Sequence, residues 1–121
     1  MPPRKVDPNG PAHVAEVTAA LDRGDEPPQA VVRSAARHLL LELEREAPGR
    51  SVEVRVVPVA AVQVVAGPRH TRGTPPNVIE TDPMTWIRLA TGRLGWAEAV
   101  RSGAVRASGS RADLSDYLPL V

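Results

Sequence analysis

The sequence contains no cysteine, no phenylalanine, one tyrosine and one lysine among its 121 residues. Without cysteine there is no disulfide, no thiolate metal site and no cysteine nucleophile. With two tryptophans and one tyrosine as the only aromatics, the core has to be built mainly from valine, alanine and leucine. The longest apolar run, residues 56–62, contains Pro58 and is far shorter than the roughly 20 residues of a membrane-spanning helix. We therefore expect no stable insertion into a membrane.

Charge is balanced rather than concentrated. The formal net charge is +1, and residues of both signs are spread along the chain. A nucleic-acid-binding protein would gather its basic residues in one patch, so no nucleic-acid partner is expected. The opening stretch MPPRKVDPNGP has no apolar segment behind its two basic residues and does not read as a secretory signal. We predict a flexible tail over 1–11, a single domain over 12–121, and a cytoplasmic location.

The first half of the domain has helical periodicity. Val14, Val17 and Leu21 recur at helical spacing over 12–23, and Gly24 stands where a left-handed helix cap is expected. A second helix is predicted from Pro28 to the segment APG, with apolar residues along one face.

The pattern changes to alternation after Ser51. Val52, Val54 and Val56 alternate with charged residues, and Val62 and Val64 flank Gln63, which predicts two strands joined in a hairpin near Pro58. GPRHTRGTPP has no apolar period and is predicted to be a loop. NVIET is predicted to be a third strand.

The last forty residues alternate between short elements. Asp82 followed by Pro83 predicts a helix start, a second short helix begins near Trp96, and AVRAS predicts a returning strand. Ser110 with Asp113 resembles a capping box, which predicts a terminal helix. Strands grouped between helices favour an α+β fold: an antiparallel sheet of about four or five strands covered by helices.

The stretch ETDPMTWIRLATGRLGWAEAVRSGAVRASGSRADLSDYL resembles the C-terminal half of the sterol carrier protein domain, the nonspecific lipid-transfer family, in a compact bacterial form. The likeness lies in the order of an acidic helix cap, a helix ending in Gly92 and Arg93, a second helix ending in SG, and a strand that reaches Gly109. The aromatic-rich strands typical of the family are replaced here by valine and alanine.

The resemblance implies a non-catalytic carrier that binds a lipid-like small molecule, such as a fatty acid, an acyl thioester, an isoprenoid or a sterol-like compound, without a cofactor. The implied tunnel would lie between the sheet and the helices. Its predicted apolar lining is Val52, Val54, Val62, Val64, Trp86, Leu89, Trp96, Val100, Leu114 and Leu118. The alternative interpretation of the two tryptophans is that they anchor a filled core.

The predicted loop suggests where an acidic head group would bind. Arg69 and Arg72 are suited to grip a carboxylate or phosphate, and His70 is able to join them near neutral pH. The alternative is a proline-stiffened connection whose charges face water. No catalytic residue or metal site is predicted, because His13, His38 and His70 lack metal-ligand spacing and no catalytic motif is present.

Two other functions remain open at the level of sequence. One is a protein-interaction module with a filled core, for which the hairpin edge offers a surface for forming a homodimer. The other comes from a second likeness, to the accessory domain of thiol-dependent isomerases and related transferases. In that case an enzyme partner supplies the metal, and Arg69, Arg72 or Arg93 helps to hold an acidic cofactor.

Overall fold

The protein is an α+β domain, described by a computed structural model over residues 6–67 and 77–121. The elements in chain order are α1 (Gly10–Arg23), α2 (Gln29–Glu46), β1 (Val52–Val56), β2 (Ala60–Val64), β3 (Val78–Thr81), α3 (Pro83–Ala90), α4 (Trp96–Ser102) and β4 (Arg106–Ser108). The predicted α+β class and the predicted number of strands are confirmed. The predicted loop over 67–76 lies, apart from Gly67, outside the described residues.

The four strands form one open sheet in the order β2-β1-β3-β4. The predicted hairpin is present: β1 and β2 pair antiparallel, with Val54 opposite Val62. β3 and β4 also pair antiparallel, but β1 and β3 are parallel, with Val54 opposite Ile79. The sheet is therefore mixed rather than wholly antiparallel.

The parallel pair follows from where β3 lies. Because β2 reverses the direction of β1, a strand that reverses again runs in the same direction as β1. If β3 lay beside β2, it would be antiparallel to its neighbour. In the structure β3 lies on the other side of β1 and is therefore parallel to it. Periodicity reports which residues are buried but not which strand is the neighbour, so the sequence does not distinguish these two arrangements.

One face of the sheet is covered and the other is polar. Val52, Val54 and Val56 of β1 are fully buried, while Glu53 and Arg55 between them are only partly covered. β2 and β3 continue the buried row, so the inward face is aliphatic apart from Thr81, whose hydroxyl donates to the Ala104 carbonyl at 2.8 Å. Helix α2 packs against α1, α3 and β2, which places the core between this face and the helices.

Local sequence signals explain the helix ends. Gly24 has φ +77° and closes α1 with backbone hydrogen bonds to Ala20 and Leu21, as predicted. The predicted start of α3 is also confirmed. The Asp82 carboxylate accepts the Thr85 backbone N–H at 3.0 Å and the Thr85 hydroxyl at 2.6 Å.

The predicted terminal helix is wrong. Residues 110–111 and 115–117 form turns and residues 112–114 have irregular backbone, so no helix follows Ser110. The Arg111 backbone N–H donates to the Asn77 side-chain oxygen at 2.9 Å, and the Asp113 carboxylate accepts from Ser115 rather than capping a helix. Further on, the backbone N–H of Leu120 donates to the carbonyl of Ala90 at 2.8 Å, which ties the C-terminal segment to the end of α3.

Candidate functional site

The predicted tunnel-lining residues lie mostly in the hydrophobic core. Seven of them are buried in one continuous cluster: Val52, Val54, Val62, Val64, Trp86, Leu89 and Leu114. Trp96 and Leu118 are partly buried and pack against that cluster. Val100 is 40% exposed and faces away from it. The three pockets described below are lined by other residues, so they lie outside this layer.

Trp86 anchors α3 on α2. Its side chain is 1% exposed, and its indole N–H donates to the backbone carbonyl of Ala36 at 3.1 Å. A buried indole needs such a partner because an unpaired polar N–H in an apolar environment is costly. The contact joins residues fifty positions apart, and its geometry is that of a core anchor.

A groove opens where the start of α2, the β1–β2 turn and the start of α3 come together. One part of it, which we call the apolar lobe, has a volume of about 460 Å³. Its apolar walls are Pro27, Val32, Pro58, Pro83 and Met84, with Arg33 at one side. Such a volume lies within the range of roughly 300–1,000 Å³ that is usual for small-molecule sites.

The apolar lobe also has polar positions at its rim. Glu26, Gln29 and Asp82 contribute to the lining. Asp82 is committed to capping α3: burial raises its pKa, but the hydrogen bonds from Thr85 outweigh that effect and hold it below its usual value. Asp82 therefore stays ionised and engaged by the helix at neutral pH.

A second part of the groove, the arginine lobe, adjoins the first. It has a volume of about 550 Å³ and is lined by Val6, Asp7, Arg33, Ser34, Arg37, Pro58 and Val59. Arg33 and Pro58 line both lobes. Arg33 and Arg37 are one helical turn apart on α2 and exposed, so both guanidinium groups are on the same side of the helix.

The two guanidinium groups have no hydrogen-bond or ion-pair partner among residues 6–67 and 77–121. Other arginines of the chain differ in this respect: Arg45 pairs with Glu42, and Arg106 pairs with Glu80. Within α2 the sequence already indicates this difference: Arg45 has Glu42 three positions before it, whereas Arg33 and Arg37 have no acidic residue three or four positions away. Sequence analysis did not identify them as candidates.

The segment before α1 is attached to α2 by a polar network. Asp7 accepts the Asn9 backbone N–H at 2.8 Å and the Ser34 hydroxyl at 3.2 Å. The Ser34 oxygen lies 2.6 Å from His13 Nδ1. The Asn9 N–H, followed by Ser34 and the positive potential of His13 and His38, holds the pKa of Asp7 below its usual value. Asp7, which the sequence assigns to the flexible tail, thus forms an ionised wall of the arginine lobe.

This network is not a catalytic triad. A nucleophilic serine gives its proton to a histidine whose other nitrogen is held by a carboxylate. Here the Ser34 hydroxyl donates to Asp7 directly, and His13 Nδ1 therefore acts as a donor toward the Ser34 oxygen. The order His13, Ser34, Asp7 fixes the N-terminal segment against α2 and leaves the serine without a base.

The basic residues predicted from sequence to bind an anion differ in what the structure shows of them. Arg69, His70 and Arg72 lie outside the described residues. Arg93 makes a two-pronged ion pair with Asp22 of α1, with Nε–Oδ1 at 2.9 Å and Nη2–Oδ2 at 2.7 Å. The pairing occupies the guanidinium N–H groups of Arg93 that would bind an anion. It fixes the turn between α3 and α4 to α1.

In the described part of the chain, no three His, Asp or Glu side chains are close enough to hold a metal ion. No helix in the same residues has the length and apolar character needed to span a bilayer.

The fold and the groove define a small α+β domain with an open mixed sheet, a buried apolar core and a peripheral groove of ligand size. A family model described as bacterial SCP ortholog, where SCP stands for sterol carrier protein, matches residues 28–120. The chain therefore belongs to this sterol-carrier-like family, as its sequence suggested. None of the curated proteins matches it. The family points to a lipid-binding or carrier type of domain, and its match leaves out α1 and the segment that carries Asp7.

Proposed function

We propose that the protein is a non-catalytic carrier of lipid-like ligands with an acidic head group. The observation that supports this proposal most directly is the position of Arg33, a cation without a partner among the described residues, where the apolar lobe meets the arginine lobe. An acyl or isoprenoid chain placed in the apolar lobe would contact Val32, Pro83 and Met84. Its carboxylate or phosphate would then meet the Arg33 guanidinium, which is suited to bind such groups through two parallel hydrogen bonds.

The energetics make the head group important. Burying each methylene contributes about 0.8 kcal/mol, so a fully buried ten-carbon chain contributes roughly 8 kcal/mol. Association costs roughly 4 kcal/mol or more, which leaves a chain alone near millimolar affinity. A net charge-assisted hydrogen bond of about 1.5–3 kcal/mol raises affinity by roughly ten- to a hundredfold. Arg33 is therefore expected to decide whether binding is measurable.

The remaining parts of the proposal concern scope. Fatty acids, acyl thioesters and acidic isoprenoids fit the chemistry of the two lobes better than an uncharged sterol, whose hydroxyl gives Arg33 no anionic partner. Binding and release are proposed to occur without bond-making chemistry. We also propose that the carrier works in the cytoplasm, as expected from the sequence.

To test the proposal, the protein is titrated with dodecanoate, and binding is measured by calorimetry and native mass spectrometry. We expect a one-to-one complex. Arg33→Gln should weaken dodecanoate binding by about tenfold or more, because the charge-assisted contact is lost. Met84→Ser should weaken it by roughly three- to tenfold, because part of the apolar contact is removed.

Arg88→Gln provides the matched control. Arg88 is exposed and, within the described residues, unpaired like Arg33, but it lies on α3 and lines neither lobe. Its substitution should leave the dissociation constant unchanged. The proposal would be overturned if dodecanoate did not bind, or if Arg33→Gln and Arg88→Gln weakened binding equally, which would indicate unspecific attraction to positive charge.

A further inference from the structure

The arginine lobe contains charges of both signs. Arg33 and Arg37 contribute two guanidinium groups that are unpaired within residues 6–67 and 77–121, and Asp7 contributes a carboxylate to the same lining. A small pocket of about 20 Å³, lined by Asp7, Ser34, Arg37, His38 and Leu41, adjoins them and is large enough for one water molecule. A site for a simple anion would gain nothing from a carboxylate here, because like charges repel.

The Asp7 carboxylate retains capacity to accept further hydrogen bonds. Its Oδ1 accepts one bond from the Asn9 backbone, and its Oδ2 accepts one from the Ser34 hydroxyl. An ionised carboxylate has about four lone-pair positions on its two oxygens, so roughly two stay open. Asp7 is also exposed, which leaves these positions accessible from the lobe.

The position of Asp7 is held by the fold. Besides its side-chain bonds, its backbone carbonyl accepts the Gly10 N–H at 3.0 Å at the start of α1. Gly10 in turn is buried against His38, since a Cβ at that position would stand 2.5 Å from the ring nitrogen. The chain thus places a carboxylate beside two arginines through close contact between α1 and α2.

We infer that the arginine lobe recognises a head group that combines an anion with a hydrogen-bond-donating group, such as the phosphate and ammonium of a phosphoethanolamine. The phosphate would bind Arg33 and Arg37, and the ammonium would donate to Asp7. This inference rests on the proposed function for the ligand chain, but Asp7 precedes the stretch matched by the family, so the added selectivity belongs to this chain's own N-terminal segment.

Three probes with the same dodecyl chain separate the contributions: dodecyl phosphate, dodecylphosphocholine and dodecylphosphoethanolamine. The first has an anion alone, the second has an ammonium without N–H groups, and the third has both an anion and N–H donors. The full chain should bind dodecylphosphoethanolamine about tenfold more tightly than dodecylphosphocholine, because only the former donates to Asp7.

Asp7→Asn should bring that ratio close to one while leaving dodecyl phosphate binding equal or tighter. Asp116→Asn, at an exposed aspartate that lines neither lobe, should leave the ratio unchanged. Arg37→Gln serves as a second variant that does not touch the Asp7 network. It should weaken all three probes by a similar factor and keep the ratio.

The outcomes distinguish the inference from the proposed function. If none of the probes binds, both fail. If all three bind equally, or if the ratio survives Asp7→Asn, the carrier proposal stands and the inference is overturned. Phosphoethanolamine without an acyl chain is titrated and its binding is measured from NMR shifts, to decide whether the natural ligand is a free solute or a lipid. Binding as tight as that of dodecylphosphoethanolamine supports a free solute. Much weaker binding supports a lipid head group.

Discussion

The layer between the helices and the sheet differs from the groove beside the start of α2. The layer is apolar and buried, with the Trp86 indole bonded to the Ala36 carbonyl and the valines of β1 fully buried. The groove is chemically mixed, with prolines, Met84 and two arginines that have no partner among the described residues. The difference supports our proposal that stability and ligand recognition are located in different parts of this domain. Each prediction below tests that separation.

Trp86→Ala should have the largest effect, and the effect should be on folding. Removing a buried tryptophan costs about 3–5 kcal/mol, a large share of the roughly 5–15 kcal/mol that stabilises a domain. Chemical denaturation measures the loss. Trp86→Phe keeps most of the volume and should cost less, and it should leave dodecanoate binding unchanged because Trp86 lines neither lobe. A Trp86→Ala protein of normal stability that no longer bound dodecanoate would reverse our assignment.

Gly10→Ala should affect both regions. The added methyl group meets the His38 ring, so α1 has to shift relative to α2 at a cost of about 1–3 kcal/mol. The shift would also displace Asp7 and reduce the preference for phosphoethanolamine probes. Gly95→Ala is the matched control, because no atom lies within 4 Å of a Cβ there. Equal stability of the two variants, measured by thermal unfolding, would show that the contact with His38 is not tight.

The sequence was sufficient to predict the parts of the fold that depend on local signals. Gly24 and Asp82 mark helix ends through their own backbone and side-chain chemistry, and the alternating valines of β1 identify its buried face. The same reasoning failed at Ser110 and Asp113. Their capping-box spacing is real, but the Asp113 N–H that Ser110 would have capped donates to the Arg111 carbonyl, and the Asp113 carboxylate accepts the Ser115 N–H.

The site was harder to predict than the fold. The apolar periodicity pointed to Val54 and Trp86 because buried residues repeat regularly, whether they line a cavity or fill a core. A groove formed where three elements meet has no period. Arg33 and Arg37 were detectable only by the lack of an acidic neighbour on their helix, and the contribution of Asp7 depends on a contact between two helices that no local pattern encodes.

Asp82→Ala should have a moderate effect, at the boundary between the two regions. Losing the N-cap of α3 costs about 1 kcal/mol. Since the pKa of Asp82 is lowered in the folded protein, its contribution is present above the unfolded pKa and is lost as the pH falls through the folded value, below about pH 4. Denaturation from pH 7 to pH 3 should show the variant and the wild type converging in acid. A constant difference would show that the lost cap is not the cause.

Asp22→Asn should have the smallest effect, and none on ligand binding. The hydrogen bond from Arg93 lowers the pKa of Asp22, and the same contact raises the pKa of Arg93. The pair therefore stabilises the fold fully above the usual pKa of an aspartate, and this contribution is lost as the pH falls through the lowered pKa of Asp22 in the folded protein. Because the pair is exposed to solvent, added salt should screen its contribution. A double-mutant cycle with Arg93→Gln, measured at low and high salt, isolates the coupling. A coupling that did not change with salt would indicate that the pair acts by packing α1 against the turn after α3, so that stability depends on shape here as it does in the core.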